Sequence, residues 1–189
     1  MVNKVVERED YFSAAIEILA EADHGGLKQS TLCRRLKVTT GSFYNYFGSW
    51  AGFKAELLQY WLDERTVNLA AAARDISDPA RMLRALTDFA CGLPHRAEAA
   101  IRSWSHSDPE VRRVQEAVDA QRYQVAYESV LGILGDETEA DHIACLGLFI
   151  LNGYQQMQPI RDVSYLRRAF DEVLSGLIPD RPPSAETAQ

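Results

Sequence analysis

The chain has no lysine beyond Lys54, and no aspartate or glutamate anywhere from His24 to Lys54. The same window holds Lys28, Arg34, Arg35, Lys37 and Lys54, formally +5 in a protein whose net charge is −7. Residues 1–54 carry seven Lys/Arg and six Asp/Glu, a balance of +1, whereas the remaining 135 carry 13 and 21, a balance of −8. Such asymmetry points to an N-terminal anion-binding unit on an acidic body. Cysteine is also scarce. Cys33, Cys91 and Cys145 are far apart and odd in number, with no CxxC pair, so a disulfide framework is excluded and buried small hydrophobes are expected. There is no 18-residue apolar run and no signal-peptide pattern, so no membrane partner is expected and a cytoplasmic location is.

Catalytic signatures are missing as well. There is no GxSxG, HExxH, Walker loop or GxGxxG. Glu139-x-x-His142 occurs once, where a di-iron bundle needs it twice with two further inward glutamates. His142-x-x-Cys145 offers two metal ligands without visible partners, which leaves an all-α metalloenzyme as a minor alternative. The expectation is therefore no enzyme, no metal and no cofactor.

What the chain does have is helical periodicity nearly throughout, and no strand alternation of any length, so the fold class is all-α. The pattern predicts about nine helices. The first covers about residues 7–22, with Tyr11, Phe12, Ala15, Ile18 and Leu19 on one face and His24-Gly25-Gly26 ending it. The second covers about 28–36, with Leu32, Cys33 and Leu36 inward, and the third about 39–47, opened by Thr39 as its cap. After Gly48-Ser49 a long helix is expected over about 50–75, roughly 38 Å at 1.5 Å per residue. Asp78-Pro79 and Asp108-Pro109 each place a capping carboxylate before a proline, starting helices over 79–91 and 109–134. Helices over 95–105, 138–156 and 164–178 complete the count. The expected domains are 1–50 and 51–178, followed by a disordered tail at 179–189.

Two short helices joined by a tight turn, the second small and polar on one face, form a helix-turn-helix. Phe43 and Phe47 lie four apart on one face and should pin the third helix down. Thr40, Ser42, Tyr44 and Asn45 point elsewhere and are free to meet DNA. Gly41 removes a side chain at the helix start, where free N–H groups and the helix dipole favour phosphate. Tyr44 can touch a thymine methyl or phosphate, and Asn45 a phosphate or base edge. Lys37 and Lys54 are placed to meet phosphates.

The run from Leu32 to Phe47, Leu-Cys-Arg-Arg-Leu-Lys-Val-Thr-Thr-Gly-Ser-Phe-Tyr-Asn-Tyr-Phe, resembles the DNA-binding signature of the TetR family of bacterial regulators. Helix count and order match along the whole chain. The local pattern Ile101-Arg102-x-Trp104…Asp108-Pro109…Val118-Asp119-x-x-Arg122 is similar too. The resemblance implies DNA contacts, mostly to phosphates, from Thr39, Thr40, Gly41, Ser42, Tyr44, Asn45 and Tyr46, and from a lysine early in the fourth helix. It also implies an inducer pocket in the body and pairing of the last two helices with their copies. Three departures stand out. Lys37 occupies a turn site where the family prefers glycine, Leu27-Lys28-Gln29 lack the usual Thr/Ser cap, and Trp50 replaces the usual lysine, with Lys54 one turn on as a substitute.

In the body, residues 143–151 are apolar all round, so that helix is expected to be buried on every side. Beside it Tyr165, Leu166, Ala169, Phe170, Val173, Leu174 and Leu177 form one stripe. With Leu148 and Leu151 they are the candidate homodimer interface, a two-fold partner for a two-fold operator on double-stranded DNA. Phe89, Trp104, His106, Tyr123, Tyr127, Phe149 and Tyr154 are the candidate lining of a small-molecule inducer pocket. Asp119 and Arg122, three apart, can form an ion pair. The expected function is a homodimeric repressor released from its operator by a small apolar or amphipathic molecule. The alternative is a TetR-like helical small-molecule-binding protein with weakened or lost DNA affinity, motivated by Lys37 and Trp50.

Overall fold

The computed structural model describes residues 6–177, so the tail expected at 179–189 lies outside it. Among the described residues there are ten α-helices and no strand. They are α1 (Arg8–Gly26), α2 (Gln29–Leu36), α3 (Thr40–Phe47), α4 (Trp50–Leu62), α5 (Asn68–Arg74), α6 (Pro79–Cys91), α7 (His95–Ser105), α8 (Pro109–Leu134), α9 (Glu137–Gln156) and α10 (Val163–Leu177). The single long helix expected over 50–75 is interrupted: a π-helical turn, Asp63–Val67, separates α4 from α5. Thr66 and Val67, β-branched and poor helix formers, sit in that turn. Helix starts follow the caps. Asp78 Oδ1 accepts from the Arg81 N–H at 2.9 Å, Asp108 Oδ1 from Glu110 at 3.0 Å, and Asp136 Oδ1 from Thr138 at 2.9 Å. Helix α1 is regular only to Glu21; Ala22 and Asp23 leave helical geometry, Asp23 with φ 53°.

The chain divides into two compact units. The first comprises residues up to Ala70 together with Gly92–Gln121; the second comprises Ala71–Cys91 with residues from Arg122 on. The helix-turn-helix therefore shares a unit with α7 and the first half of α8. The reason lies in the core. Tyr11, Phe43, Phe53 and Trp61 are buried together with Ala97, Ala100 and Ile101 of α7 and Val111, Val114 and Val118 of α8. Small side chains at Ala97 and Ala100 let α7 lie closely along α1. Glu98 of α7 is buried beside this core, and its Oε1 accepts from the Trp61 Nε1–H at 3.0 Å.

The second unit has a smaller core. Leu83 of α6, Val130 of α8 and Ala140 of α9 are buried, flanked by half-buried Leu86, Tyr127, Leu131, Ile143, Leu174 and Leu177. Helix α9 is not buried all round, as its composition suggested. Only Ala140, Ala144, Leu151, Tyr154 and Gln155 are buried, and Phe149 is 69% exposed. Two residues expected at the dimer face, Leu151 and Leu166, are consumed by the protomer's own core, at 6% and 1% exposure. Tyr165, by contrast, is 67% exposed.

Lys37 closes α2 in the left-handed conformation, φ 55° and ψ 39°. Its amide N–H donates to the Arg34 carbonyl at 3.3 Å, so the turn is made despite the side chain. A non-glycine residue there costs on the order of 1 kcal/mol. Lys37→Gly should raise folding stability by about that amount. Urea unfolding checks it: the midpoint should rise with the slope unchanged.

Candidate nucleic-acid interface

Eight residues are too few for a helix that stands alone. Helix α3 is held by Phe43 and Phe47, both buried, in a cluster of rings. Tyr11 meets Phe43 edge-on at 6.1 Å and Phe47 at 5.2 Å between centroids; Phe53 lies 5.4 Å and 5.0 Å from the same two rings. Trp50, in the position where a lysine was the family expectation, is half-buried and packs at 6.0 Å on Phe43 and 5.1 Å on Phe53. It has joined the core. At the start of α3, Thr39 Oγ1 accepts from the Ser42 N–H at 3.1 Å. At its end Gly48 takes φ 66°, a conformation that glycine adopts without strain. Four residues on, a Cβ at Gly52 would stand 2.5 Å from the Phe47 carbonyl oxygen, so α4 can begin against the end of α3 only because Gly52 has none.

Arg8 secures the far end of α3, a role that sequence reading missed. Its Nη2 donates to the Tyr46 carbonyl at 2.8 Å, its Nη1 pairs with Glu56, and its guanidinium lies 5.1 Å from the Phe47 ring centre. A cation there satisfies a terminal carbonyl and the helix dipole together. The available signal was that Arg8 stands one turn before Phe12, on its core-edge face.

The expected contact residues sort into two groups. Lys37, Thr39, Thr40, Gly41, Tyr44 and Asn45 are exposed. Tyr44 is 45% exposed, with its hydroxyl 3.4 Å from Gln29 Oε1. Ser42 and Tyr46 are turned inward. The Ser42 hydroxyl lies 3.2 Å from that of Tyr11, and the Tyr46 hydroxyl donates to the Val6 carbonyl at 2.9 Å, so neither side chain faces outward.

Charge sorts the same way. Lys54 is half-buried and holds Asp108 at 2.9 Å and Glu110 at 2.8 Å. Partial desolvation opposes its charge, but these two carboxylates outweigh it and its pKa is raised. The bond from Lys54 in turn lowers the Asp108 pKa, with the backbone N–H groups at the start of α8 adding to it. Lys54 is thus a brace within the first unit rather than a stand-in for the family's phosphate-binding lysine. Arg35 is tied to Glu21 and, at 3.3 Å, to Glu17. Among the described residues this leaves Lys28, Arg34 and Lys37 as the cations of the 24–54 window without a carboxylate partner. Lys28 is the N-cap of α2 and makes no side-chain cap bond, as its lack of a hydroxyl implied.

The candidate pocket residues are not gathered into one site. In the first unit Trp104 stacks on His24, 6.0 Å apart with an 8° interplanar angle, and His106 is exposed. In the second, Tyr123 and Tyr127 stack at 5.9 Å. The Tyr123 hydroxyl donates to Asp141 at 2.6 Å, and that bond, with slight desolvation, pushes its pKa up to about 12. Tyr154 is buried and donates to the Arg161 carbonyl at 2.7 Å; Phe89 is half-buried and Phe149 faces outward. Asp119 does not turn to Arg122. It takes both terminal nitrogens of Arg102, at 2.9 and 2.8 Å, and the Gln115 amide at 3.1 Å.

No family model matches the sequence, and no curated protein matches it. Solved structures do match in shape. A transcriptional regulator from Rhodococcus sp. Rha1 superposes with a TM-score of 0.73 at 19% identity, covering 91% of this chain and 96% of its own. A TetR transcription regulator from Haloarcula marismortui ATCC 43049 gives 0.73 at 16% identity, over 90% and 97%. The chain has the TetR-regulator fold. A Saccharomonospora viridis structure described as that of a putative transcriptional regulator, in complex with choline, gives 0.75 at 16% identity, over 92% and 98%.

The brace has a measurable signature. Lys54→Met should destabilise the protein, because it leaves Asp108 partly buried without its cation. Its loss should not change the salt dependence of DNA binding, whereas removing Lys28 or Lys37 should flatten that slope by about one unit each. The pH sign follows from Asp108. Its pKa is depressed on folding, so the brace contributes fully above the ordinary carboxylate value and is lost as pH falls through the lowered folded one. Acid unfolding of Lys54→Met should therefore be shallower below about pH 4.

Proposed function

We propose that the chain is a ligand-responsive, DNA-binding transcriptional regulator that acts as a cytoplasmic homodimer, with α3 in the major groove of a two-fold operator. One observation carries the reading. The exposed side of a firmly anchored α3 is small and polar, Thr39, Thr40, Gly41, Tyr44 and Asn45, and it adjoins the unpartnered cations Lys28, Arg34 and Lys37 in a chain that is otherwise acidic. Phosphate contacts from the helix start and the lysines set register, and Tyr44 and Asn45 read the groove. The fold it shares with known transcriptional regulators supports the same reading and favours no enzymatic one. A small molecule held in the helical body changes the separation of the two α3 helices and so releases the operator. The homodimer is supported by two exposed aromatic side chains. Phe149 and Tyr165 on α9 and α10 have the exposure of residues that await a second copy.

The second reading, a small-molecule-binding protein of this fold with weakened DNA affinity, is favoured by three local facts: strain at Lys37, the uncapped α2, and Lys54 held by carboxylates. A gel-shift titration with DNA from upstream of its own gene, at several salt concentrations, separates the two.

Tyr44→Ala should cut operator affinity while moving stability by no more than about 0.5 kcal/mol, as exposed substitutions do. Phe47→Ala should instead cost roughly 3–5 kcal/mol, since its ring packs against those of Tyr11, Phe12, Phe43, Tyr46 and Phe53. Thermal melts and affinity per folded molecule check both. Tyr44→Ala unfolding the protein with affinity intact would reverse the assignment of faces.

The dimer is tested separately. Tyr165→Glu with Phe149→Glu should give monomers in sedimentation and lose operator binding, because each copy then reads only one half-site. Both side chains are exposed in the protomer, so its fold should survive. A doubly substituted dimer that binds DNA normally would place the interface elsewhere.

A further inference from the structure

Gln155 is 1% exposed, and neither its Nε2 nor its Oε1 has a hydrogen-bond partner among the described residues. It closes the inner face of α9. Ala140, Ala144, Leu151 and Gln155 follow helical spacing, and all four are buried. A primary amide at the end of an apolar face is costly unless something bonds to it; leucine or methionine would fill the same space without that cost. Loose packing does not explain it. Its neighbour Tyr154 is also buried, and its hydroxyl does find a carbonyl, that of Arg161, at 2.7 Å.

We infer that Gln155 anchors a small-molecule site in the second unit, and that its ligand carries a neutral amide head and an apolar tail. The chemistry follows from the side chain. A glutamine amide offers a donor and an acceptor side by side, and a primary amide or lactam returns the complementary pair in two hydrogen bonds. A carboxylate head would answer only the N–H, and an ammonium head only the carbonyl. Either would also bury a charge that a neutral amide cannot balance. Ala144 and Leu151, on the same buried face, suit the hydrocarbon part.

This inference deepens the ligand-responsive reading and rests on it for its regulatory meaning, but its test does not use DNA. Wild type, Gln155→Leu and the unbranched Gln155→Met are melted alone and with hexanamide, caprolactam, hexanoate or hexylammonium. The expected result has two parts. Without ligand, at least one variant melts at or above wild type, by up to about 2–4 °C, because an orphaned amide has been removed. With hexanamide or caprolactam, wild type is stabilised and the variants bind roughly 10- to 100-fold more weakly, the loss of two hydrogen bonds. Neither ion should stabilise wild type. The inference is overturned if neither amide stabilises wild type, if the variants respond as wild type does, or if both variants melt well below it, which would make Gln155 a structural group. Amide binding that leaves operator affinity unchanged supports the site and counts against the regulatory reading instead.

Discussion

Everything the N-terminal half can do depends on fixing an eight-residue helix that has no stability of its own. Nucleation is the costly part of helix formation, and a helix of two turns recovers little of it from its own hydrogen bonds. The chain supplies the difference from outside. Tyr11 of α1, Phe43 and Phe47 of α3 and Phe53 of α4 pack edge to face, so each ring constrains the orientation of the next. Arg8 then holds the last turn by its carbonyl. The ring cluster also explains the position of Trp50: next to Phe43 and Phe53, an indole adds anchoring where a lysine would add a phosphate contact.

That anchoring divides the side chains of α3 with little left over. A helix that buries two positions four apart exposes a strip on its other side. Here the strip is Gly41, Tyr44 and Asn45, continued by Thr39 and Thr40 at the start. Ser42 and Tyr46 fall between the two sides, and their hydroxyls are taken up by Tyr11 and by the Val6 carbonyl. The cations divide by the same logic. Where acidic side chains of α1 or α8 come within reach, as at Arg35 and Lys54, the positive charge serves the fold. Where none does, at Lys28, Arg34 and Lys37, it remains available to an outside anion. Formal charge counted along the sequence overstates the available field; the pairing decides it.

What could be read from the sequence was local. The caps at Asp78 and Asp108 and the starts of the helices that follow them are settled by residues within a few positions of one another. Their boundaries were therefore legible to within a residue or so. The anchoring pair Phe43 and Phe47 was legible for the same reason. The misses were contacts between distant positions. Lys54 meets Asp108 54 residues away, Arg8 meets the Tyr46 carbonyl 38 away, and Asp119 prefers Arg102, 17 away, to Arg122 on its own helix. Periodicity cannot rank such partners. The π turn at Asp63–Val67 was missed because its residues do not break the helical pattern; they only weaken it. Lys37 is the opposite case. Its conflict with a left-handed turn was visible in the sequence, and the fold resolves it by accepting the strain.

The two faces of α9 show how one helix can carry two unlike demands. Its inner face buries small and apolar residues, Ala140, Ala144 and Leu151, together with the amide of Gln155. Its outer face holds Phe149, 69% exposed. An apolar side chain on the surface and an amide in the interior are both unfavourable, and exchanging them would have favoured the isolated protomer. The arrangement makes sense if each is completed by something else, a second copy outside and a polar ligand within. The two completions would then sit on different sides of the same twenty-residue helix. A ligand that shifts α9 by bonding to Gln155 would shift Phe149 with it, because a helix moves largely as a rigid rod while its packing allows only discrete positions. Occupancy of an interior site would in this way be felt at a surface shared by two copies, with no need for a separate relay between them.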